Sequence, residues 1–339
     1  TGGFEAQQTY TAGLKGEMTL FDGFKRENLL DQHKALEYAA NHQLQGIKKE
    51  ISLDIIQRYF NLQNTHDEIN TLMLMRDQLE AQLVRLEKFK TVGLASEDSL
   101  MRMRSEVSDA DYRIEDLRYQ ADRQTAELET MTNQRIGSLA PSEITAPSNV
   151  RSEELDTLIA MRYSRDAKIY EAKQKDASYL PTLKLEDQYS YYDYRDDPMP
   201  QIRVNNQNKF IVSLNMNLFD FSSASTAKEA LLAEAQAKSN EFAYASKEAE
   251  NNFLLAKRYI DRSRTLIGAS QKTFDAASKT FDAVKKKYEA RIVDYVTYLD
   301  ALHTLTDATN QLSQAKRTLH YAYAVYYYYA GMDPKEFVR

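Results

Sequence analysis

The sequence contains no cysteine and no tryptophan, and it has only 10 glycines and 6 prolines in 339 residues. The absence of cysteine excludes a disulfide framework and any metal site built on thiolates. Because glycine and proline interrupt helices, their scarcity favours long helices over a loop-rich fold. No run of 18 or more apolar residues occurs, so we predict no membrane-spanning helix. No signal peptide is visible, and the chain opens inside a strand-like pattern, so we expect further residues upstream of Thr1.

The chain is mildly acidic, with a formal net charge of -6. A nucleic-acid-binding protein would show a basic stripe, so we predict no nucleic-acid partner. The same acidity argues against a curved helical module that binds membranes, because anionic lipids attract basic surfaces.

Motifs for catalysis do not stand out: there is no Ser-His-Asp order, glycine-rich phosphate loop or pair of catalytic carboxylates. Asp300, His303 and Asp307 share one helix face, and metal sites in helical bundles can use such spacing. However, no second motif of histidine and carboxylate faces them, and a solvated face looks the same. The sequence therefore predicts no enzyme, no cofactor and no metal site.

Two segments have the pattern of very long helices, Phe24 to about Lys90 and Ser222 to about Glu289. At 1.5 Å per residue, each spans roughly 100 Å. Each is followed by a short turn and a second helix, which we expect to end near Asn133 and Ala330. A further helix is predicted from about Glu153 to Ala177, after a proline-punctuated join between the two halves.

The apolar positions of the first long helix repeat every three or four residues, with the mean spacing of about 3.5 that a coiled coil requires. An offset of 198 residues carries this pattern onto the second helix, so that Leu44 corresponds to Phe242 and Ile55 to Phe253. The segments "TLFDGF" and "NLFDFS" obey the same offset. We therefore predict an internal duplication, with one repeat in residues 1–140 and the other in residues 141–339.

Each "LFD" segment follows a stretch in which apolar and polar residues alternate, and a third such stretch begins near Leu183. Alternation over about ten residues suits a transmembrane β-strand, although a half-buried soluble sheet shows the same pattern. Aromatic residues crowd both ends of these strands, as in the interfacial girdles of outer-membrane barrels. The side chains that we predict to face lipid are Leu183, Leu185, Tyr189, Phe210, Val212, Leu214, Met216 and Leu218.

Three strands cannot close a barrel, and an open sheet edge cannot lie in lipid. If these strands enter a membrane, the chain must therefore oligomerise. By the repeat, the first half also lacks the helix and strand that would precede its "LFD" strand. With those elements, three chains would supply about twelve strands.

These features together resemble the TolC-like outer-membrane efflux proteins, over essentially the whole chain. The resemblance rests on the two "LFD" junctions, on "AKQKDASYLPTLKL" before a strand, and on two units of a turn and a long return helix. It implies a mainly α protein with a small β part. Three protomers would share a transmembrane β-barrel above a tunnel of long antiparallel coiled-coil helices, in the outer membrane of a Gram-negative bacterium and its periplasm.

The first turn, "VGLAS", resembles the periplasmic tip of that family, which contacts an adaptor protein. Gly93 can adopt a positive φ and end one helix, and Ser96 can cap the next. The simpler interpretation is a plain helix hairpin. The predicted docking residues are Val92, Gly93, Leu94 and Ser96 of the first turn and Arg291 and Ile292 of the second.

The segment "ARIVDYVTYLDA" resembles the second tip of the family, where acidic residues narrow the pore. Three copies of Asp294 would form a carboxylate ring that favours cations. Thr297 stands where a second aspartate is common, so the ring is single or Asp300 contributes to it. The alternative is an ordinary solvated helix N-terminus, where aspartate is favoured anyway.

The tyrosine-rich stretch Tyr321–Gly331 predicts aromatic packing rather than a ligand site. As a whole, the sequence predicts a passive, trimeric exit duct of a tripartite efflux or type I secretion system. Its partners would be a periplasmic adaptor and an inner-membrane pump of the resistance-nodulation-division or ABC class, and its barrel would contact outer-membrane lipid. The alternative is a structural coiled-coil stalk or scaffold without channel activity.

Overall fold

The computed structural model describes residues 8–148, 152–195 and 204–339. Within these ranges, long helices alternate with a small group of strands, as the sequence predicts. The elements are β1 (Gln8–Phe21), α1 (Lys25–Thr91), α2 (Glu97–Thr132), α3 (Asp156–Asp176), β2 (Thr182–Arg195), β3 (Asn206–Asn215), α4 (Ser223–Glu289) and α5 (Tyr295–Tyr329), with short 3₁₀ turns at Ala177–Tyr179 and Pro334–Phe337. None of the described helices combines the length and the apolar character needed to cross a membrane.

The backbone preserves the predicted duplication closely. α4 begins and ends 198 residues after α1, and both helices contain 67 residues. Positive φ angles recur at the same offset in four places: Gly23 and Phe221, Phe24 and Ser222, Gly93 and Arg291, and Asn133 and Gly331. The turn geometry is therefore common to both halves, although the residues at these turns differ. The proposed boundary between residues 140 and 141 stays a prediction.

The chain forms two compact units, and each contains segments from both halves. The first unit combines the chain up to Gln43 with Thr157–Ala245, and it includes the sheet. The second unit combines Leu44–Asp156 with Ser246–Arg339, and it includes both tip turns.

The sheet is antiparallel with strand order β1-β2-β3. Its register pairs Leu14 with Tyr189 and Asp187 with Phe210, so the alternating apolar residues of all three strands share one face. The opposite face is polar and holds ion pairs, such as those from Lys15 to Glu186 (2.9 Å) and from Lys184 to Glu17 (2.8 Å).

Two of the residues predicted to be in a lipid-facing strand, Met216 and Leu218, lie beyond the end of β3. The last residue pair of this ladder joins Thr182 to Asn215. The residue before Thr182 is Pro181, which has no N–H with which to extend the ladder. The expectation that β3 continues to Leu218 is therefore wrong, because its partner strand begins too late to support it.

The core of the second unit consists of two apolar clusters. One lies among α1, α2, α4 and α5 on the tip side and contains Leu72, Met103 and Tyr298. The other contains the tyrosines at the end of α5. A bridge between Ile144 and Val338 closes this second cluster. The Tyr321–Gly331 stretch is thus a packed core, as the sequence predicts.

Candidate functional site

The first tip turn follows the end of α1 with a backbone in the left-handed region. Gly93 has φ 72°, and its N–H donates to the Lys90 carbonyl at 3.0 Å. The Leu94 N–H donates to the Phe89 carbonyl at 2.8 Å. Ser96 caps α2 as predicted, because its Oγ accepts the Ser99 N–H at 3.2 Å. These bonds satisfy both helix ends within a few residues, and the turn is therefore short and blunt.

The second tip turn repeats these backbone hydrogen bonds with different residues. Arg291 has φ 59°, and its N–H donates to the Tyr288 carbonyl at 3.0 Å. The Ile292 N–H donates to the Lys287 carbonyl at 2.8 Å. A non-glycine residue in this region carries a conformational cost of roughly 1–2 kcal/mol. The guanidinium of Arg291 lies 4.4 Å from the centroid of the Phe89 ring, and this contact offsets part of that cost.

The two turns lie side by side and enclose a groove of about 300 Å³. The Phe89 ring contacts a second guanidinium group, because Arg85 lies 5.3 Å from the ring centroid. Arg85 also donates from Nη2 to the Glu289 carbonyl at 2.8 Å, which fastens the two turns together. The residues that line the groove include Leu94, Ser96, Arg291 and Asp294 from the predicted set and Arg85, Phe89, Tyr288 and Tyr295 beyond it.

The rim of the tip carries exposed apolar side chains. Val92, Leu94 and Ile292 are all exposed, and Ile292 has 72% of its surface accessible. The sequence missed Arg85 and Phe89, which lie in the last two turns of α1. Their spacing of one helical turn was the available signal, because i,i+4 side chains meet on a helix surface.

Asp294 is the N-cap of α5. Its Oδ1 accepts the Thr297 N–H at 2.9 Å and the Thr297 hydroxyl at 2.7 Å. These bonds from Thr297, the hydroxyl first, hold the pKa of Asp294 below its usual value. The cap therefore stays ionised at neutral pH, with its Oδ2 accepting no hydrogen bond from the residues that the structure describes.

The three predicted gate residues are not brought together as one set. Thr297 donates two hydrogen bonds to the carboxylate of Asp294, whereas Asp300 makes no contact with either residue among the hydrogen bonds of the described residues. At about 100° per residue, Asp300 points to a different side of the helix from Asp294. His303, which shares a face with Asp300, has its Nε2 3.3 Å from Oε2 of Glu106 on α2. Among the described residues, no group of three or more histidine and carboxylate side chains could hold a metal ion.

The start of α5 is anchored by an aromatic stack that sequence patterns did not reveal. Tyr298 is fully buried, with its ring 4.8 Å from that of Tyr288 and 5.7 Å from that of Phe281. Burial raises the pKa of Tyr298 to about 12. A tyrosine that packs between α4 and α5 in this way fixes the position of the Asp294 cap relative to the end of α4.

The apolar face of the sheet in the first unit is open to the surroundings. Tyr189, Phe210, Val212 and Leu214 are exposed, and Phe210 has 69% of its surface accessible. Leu183 and Leu185 lie on the same face and are half-buried. A contiguous apolar face that no described part of the chain covers marks an interaction surface rather than the inner side of a soluble sheet. Asp187, which pairs with Phe210, interrupts this face.

Comparison with known proteins relates the chain to outer-membrane channels. A family model described as "Outer membrane efflux protein" matches residues 150–329, and no curated protein matches the sequence. Similar solved structures include the outer membrane protein VceC of Vibrio cholerae (14% identity, TM-score 0.80, 96% of this chain and 87% of that chain). The Campylobacter jejuni CmeC outer membrane channel is also similar (11% identity, TM-score 0.80, 96% and 78%), as is the open state of the Neisseria gonorrhoeae MtrE outer membrane channel (13% identity, TM-score 0.70, 97% and 80%).

At such low identity these structures establish the fold, and they confirm the predicted class of long antiparallel helices with a small set of strands. The family model covers more than half of the chain. The protein therefore belongs to the outer membrane efflux protein family, the trimeric TolC-like channels that lie in the outer membrane of Gram-negative bacteria and extend into the periplasm.

Proposed function

We propose that the protein is the passive exit duct of a tripartite efflux or type I secretion system. The observation that carries this proposal is the uncovered apolar face of an open-edged sheet, in a chain whose helix pairs end in blunt turns. Among the described residues, β1 and β3 each hydrogen-bond to β2 and have no second neighbouring strand. Because lipid cannot satisfy a free strand edge, neighbouring copies must complete the barrel. Three copies would do so, with the apolar face turned to lipid.

The tip is the proposed docking surface for a periplasmic adaptor. Val92, Leu94 and Ile292 are apolar and exposed on two turns that the groove joins. Apolar side chains at the end of a long hairpin need a partner to bury them. Gly93 and Arg291 shape the turns, and Ser96 fixes the start of the return helix. The adaptor would connect this tip to a pump of the resistance-nodulation-division or ABC class, which supplies the energy.

Asp294 is the proposed gate residue. Its carboxylate is exposed and ionised, and Thr297 hydrogen-bonds to only one of its two oxygens. A threefold ring of such groups at a helical constriction would attract and hold cations. Opening would follow adaptor binding, provided that the adaptor binds the open arrangement of the helices better than the closed one. No catalytic role is proposed, since a passive conduit needs none.

The test is single-channel recording of the full-length protein, purified from outer membranes, in planar bilayers. We expect a small, cation-selective conductance that divalent cations block. Asp294→Asn should keep the helix cap, because asparagine caps as well as aspartate, but it should weaken the selectivity and the block. Asp300→Asn is the matched control and should change neither.

The outcomes separate the parts of the proposal. An unchanged reversal potential and an unchanged divalent block in Asp294→Asn would remove Asp294 from the gate. The absence of conductance in the wild-type protein, in Asp294→Asn and in Gly93 variants of the tip would contradict a conduit altogether.

A further inference from the structure

A cationic stripe runs along the exposed side of α4 in the second unit. Arg258, Lys272, Lys279 and Lys286 occupy one heptad position, all are exposed, and none has an ion-pair partner within the described residues. The neighbouring heptad position holds three exposed alanines: Ala269, Ala276 and Ala283. The stripe lies opposite the seam that α4 buries against its own chain, which includes Ser263, Ser270 and Ala277. Small residues between cations leave room for a second helix to approach closely.

An acidic and aromatic stripe runs along the exposed side of α2. Tyr112 and Tyr119 are one heptad apart and expose 73% and 69% of their surface. Asp109 and Asp116 lie at the neighbouring heptad position, between Arg102 and Arg123, and neither aspartate has a cationic partner within the described residues. Two large aromatic side chains one heptad apart form an exposed apolar strip along the helix, and contiguous apolar surface of this kind marks interaction sites.

The two stripes do not meet within one chain. α2 packs on α1, as in the ion pair between Arg58 and Glu127 at 2.6 Å. α4 packs on α5, as in the contact between Phe253 and Tyr326 at 5.4 Å. α1 and α5 join these pairs, for example between Asp67 and Arg317 at 3.0 Å. The outer sides of α2 and α4 are therefore both available to other molecules.

The stripes complement each other in an antiparallel register that keeps the tips level. In this register Glu97, the first residue of α2, lies opposite Arg291, just past the end of α4. Copies related by a rotation axis along the helices would have level tips, because such an axis involves no translation. The residues then opposed are Asp109 with Lys279, Tyr112 with Ala276, Asp116 with Lys272 and Tyr119 with Ala269.

We infer that the outer stripe of α2 in one copy packs against the outer stripe of α4 in the next, through two ion pairs interleaved with two tyrosine-alanine contacts. The inference rests on the proposed trimer and specifies which surfaces close it. Opposite charges select the register, and each tyrosine fills the space that an alanine leaves. We call these four contacts the ladder. The ladder ends toward the tip, because the same register places Arg102 opposite Lys286 and these charges repel.

Charge reversal tests the ion pairs in the full-length protein, with the trimer measured by light scattering in detergent at low salt. Asp116→Lys and Lys272→Asp should each cause loss of trimer, and the double variant should recover it. Asp122→Lys is the matched control, because Asp122 is exposed on α2 beside the stripe. The loss should shrink at about 1 M salt, where charges are screened beyond about 3 Å. Intact trimers in both single variants would overturn the inference. So would a changed reversal potential with an intact trimer in Lys272→Asp, which would assign the cationic stripe to the channel lumen.

Disulfide cross-linking tests the register without relying on stability. Residues 1–339 contain no cysteine, so Tyr119→Cys with Ala269→Cys introduces the only thiols within this sequence. We expect oxidation to give covalent trimers on a non-reducing gel, because a disulfide needs Cα atoms within about 7 Å. Tyr119→Cys with Ala283→Cys is the control, as Ala283 lies about 21 Å further along α4. A trimeric, conducting protein that cross-links in neither pair, or equally in both, overturns the ladder alone. A wild-type protein that forms no trimer and no channel overturns the proposed function as well.

Discussion

The two return helices, α2 and α5, occupy equivalent places in the two halves but have different surroundings. Both start at a capped residue after a left-handed turn, Ser96 in one case and Asp294 in the other. α5 nevertheless buries about twice as many side chains as α2. The end of α5 packs against the segments near Ile144 and Phe337, whereas the outer side of α2 stays exposed.

This difference shows what the duplication kept and what it changed. Hydrogen bonds at the turns and caps depend on the backbone and on one or two side chains, so both halves retain them. Burial depends on what packs against each helix, and the two halves have different neighbours. Equivalent positions such as Asp122 and His320 can thus be exposed in one half and partly buried in the other.

The largest contrast is expected at the ends of the two return helices, where Asn133 and Gly331 both have positive φ. A Cβ at Gly331 would lie 2.8 Å from the Glu153 carbonyl oxygen, in addition to the strain of φ 83°. Gly331→Ala should therefore lower the free energy of unfolding by about 3 kcal/mol or more. Asn133→Ala should cost only about 1 kcal/mol, since it adds no Cβ.

Thermal unfolding in detergent, followed by circular dichroism, measures both variants. Equal losses in the two would mean that the close approach of Glu153 adds nothing to the backbone strain at Gly331.

A smaller effect is expected at His320 and its equivalent, Asp122. Nδ1 of His320 accepts the Ile144 N–H at 3.2 Å, and its ring stacks on Phe60 with centroids 5.7 Å apart. His320→Ala should cost about 2 kcal/mol through the unpaired N–H and the lost packing. Asp122→Ala should stay within about 0.5 kcal/mol, as is usual for an exposed residue.

The pH dependence gives this contrast a second measurement. Burial is the main cause that lowers the pKa of His320, with Arg317 acting in the same direction and Glu143 opposing it. The unfolded chain then binds a proton at a higher pH than the folded chain. The contribution of neutral His320 to the free energy of unfolding should be fully present above about pH 6.5. It should fall as the pH drops toward the lowered pKa of the folded state. His320→Gln should flatten this fall, and an unchanged profile would show that His320 does not cause it.

The smallest effect is expected at the two tip turns. Arg291→Gly removes about 1 kcal/mol of backbone strain but also removes the contact with Phe89, which contributes about 0.5–1 kcal/mol. The net change should be within about 0.5 kcal/mol. Gly93→Ala adds the strain with no new contact, because no atom lies within 4 Å of its Cβ position, so it should cost about 1 kcal/mol. Tm values from thermal unfolding in detergent measure both variants. A clear increase in stability for Arg291→Gly would mean that the contact between Arg291 and the Phe89 ring contributes little.

Much of the fold could be predicted from local patterns. The bounds of α1 and α4, the offset of 198 residues and the shared apolar face of the strands all follow from periodicity and are confirmed. The end of β3 could not be predicted from its own sequence, because the alternation continues to Leu218 while β2 begins only at Thr182. A strand extends only as far as its partner strand lies beside it, and the position of the partner is set by the tertiary structure.

The tip illustrates the same limit for the candidate site. The sequence located both turns and the capping residues, because turn chemistry is local. It did not reveal that Arg85 of α1 and Arg291 of the second turn approach one Phe89 ring, or that Tyr298 packs between α4 and α5.

The sequence by itself determined the long helices, the blunt turns, the duplication and the alternating strands, because each depends on interactions within a few residues. Only the tertiary structure decided which turns lie side by side, which return helix is enclosed and which charged stripes remain without partners. Those features depend on contacts between segments far apart in the chain, which no local pattern encodes.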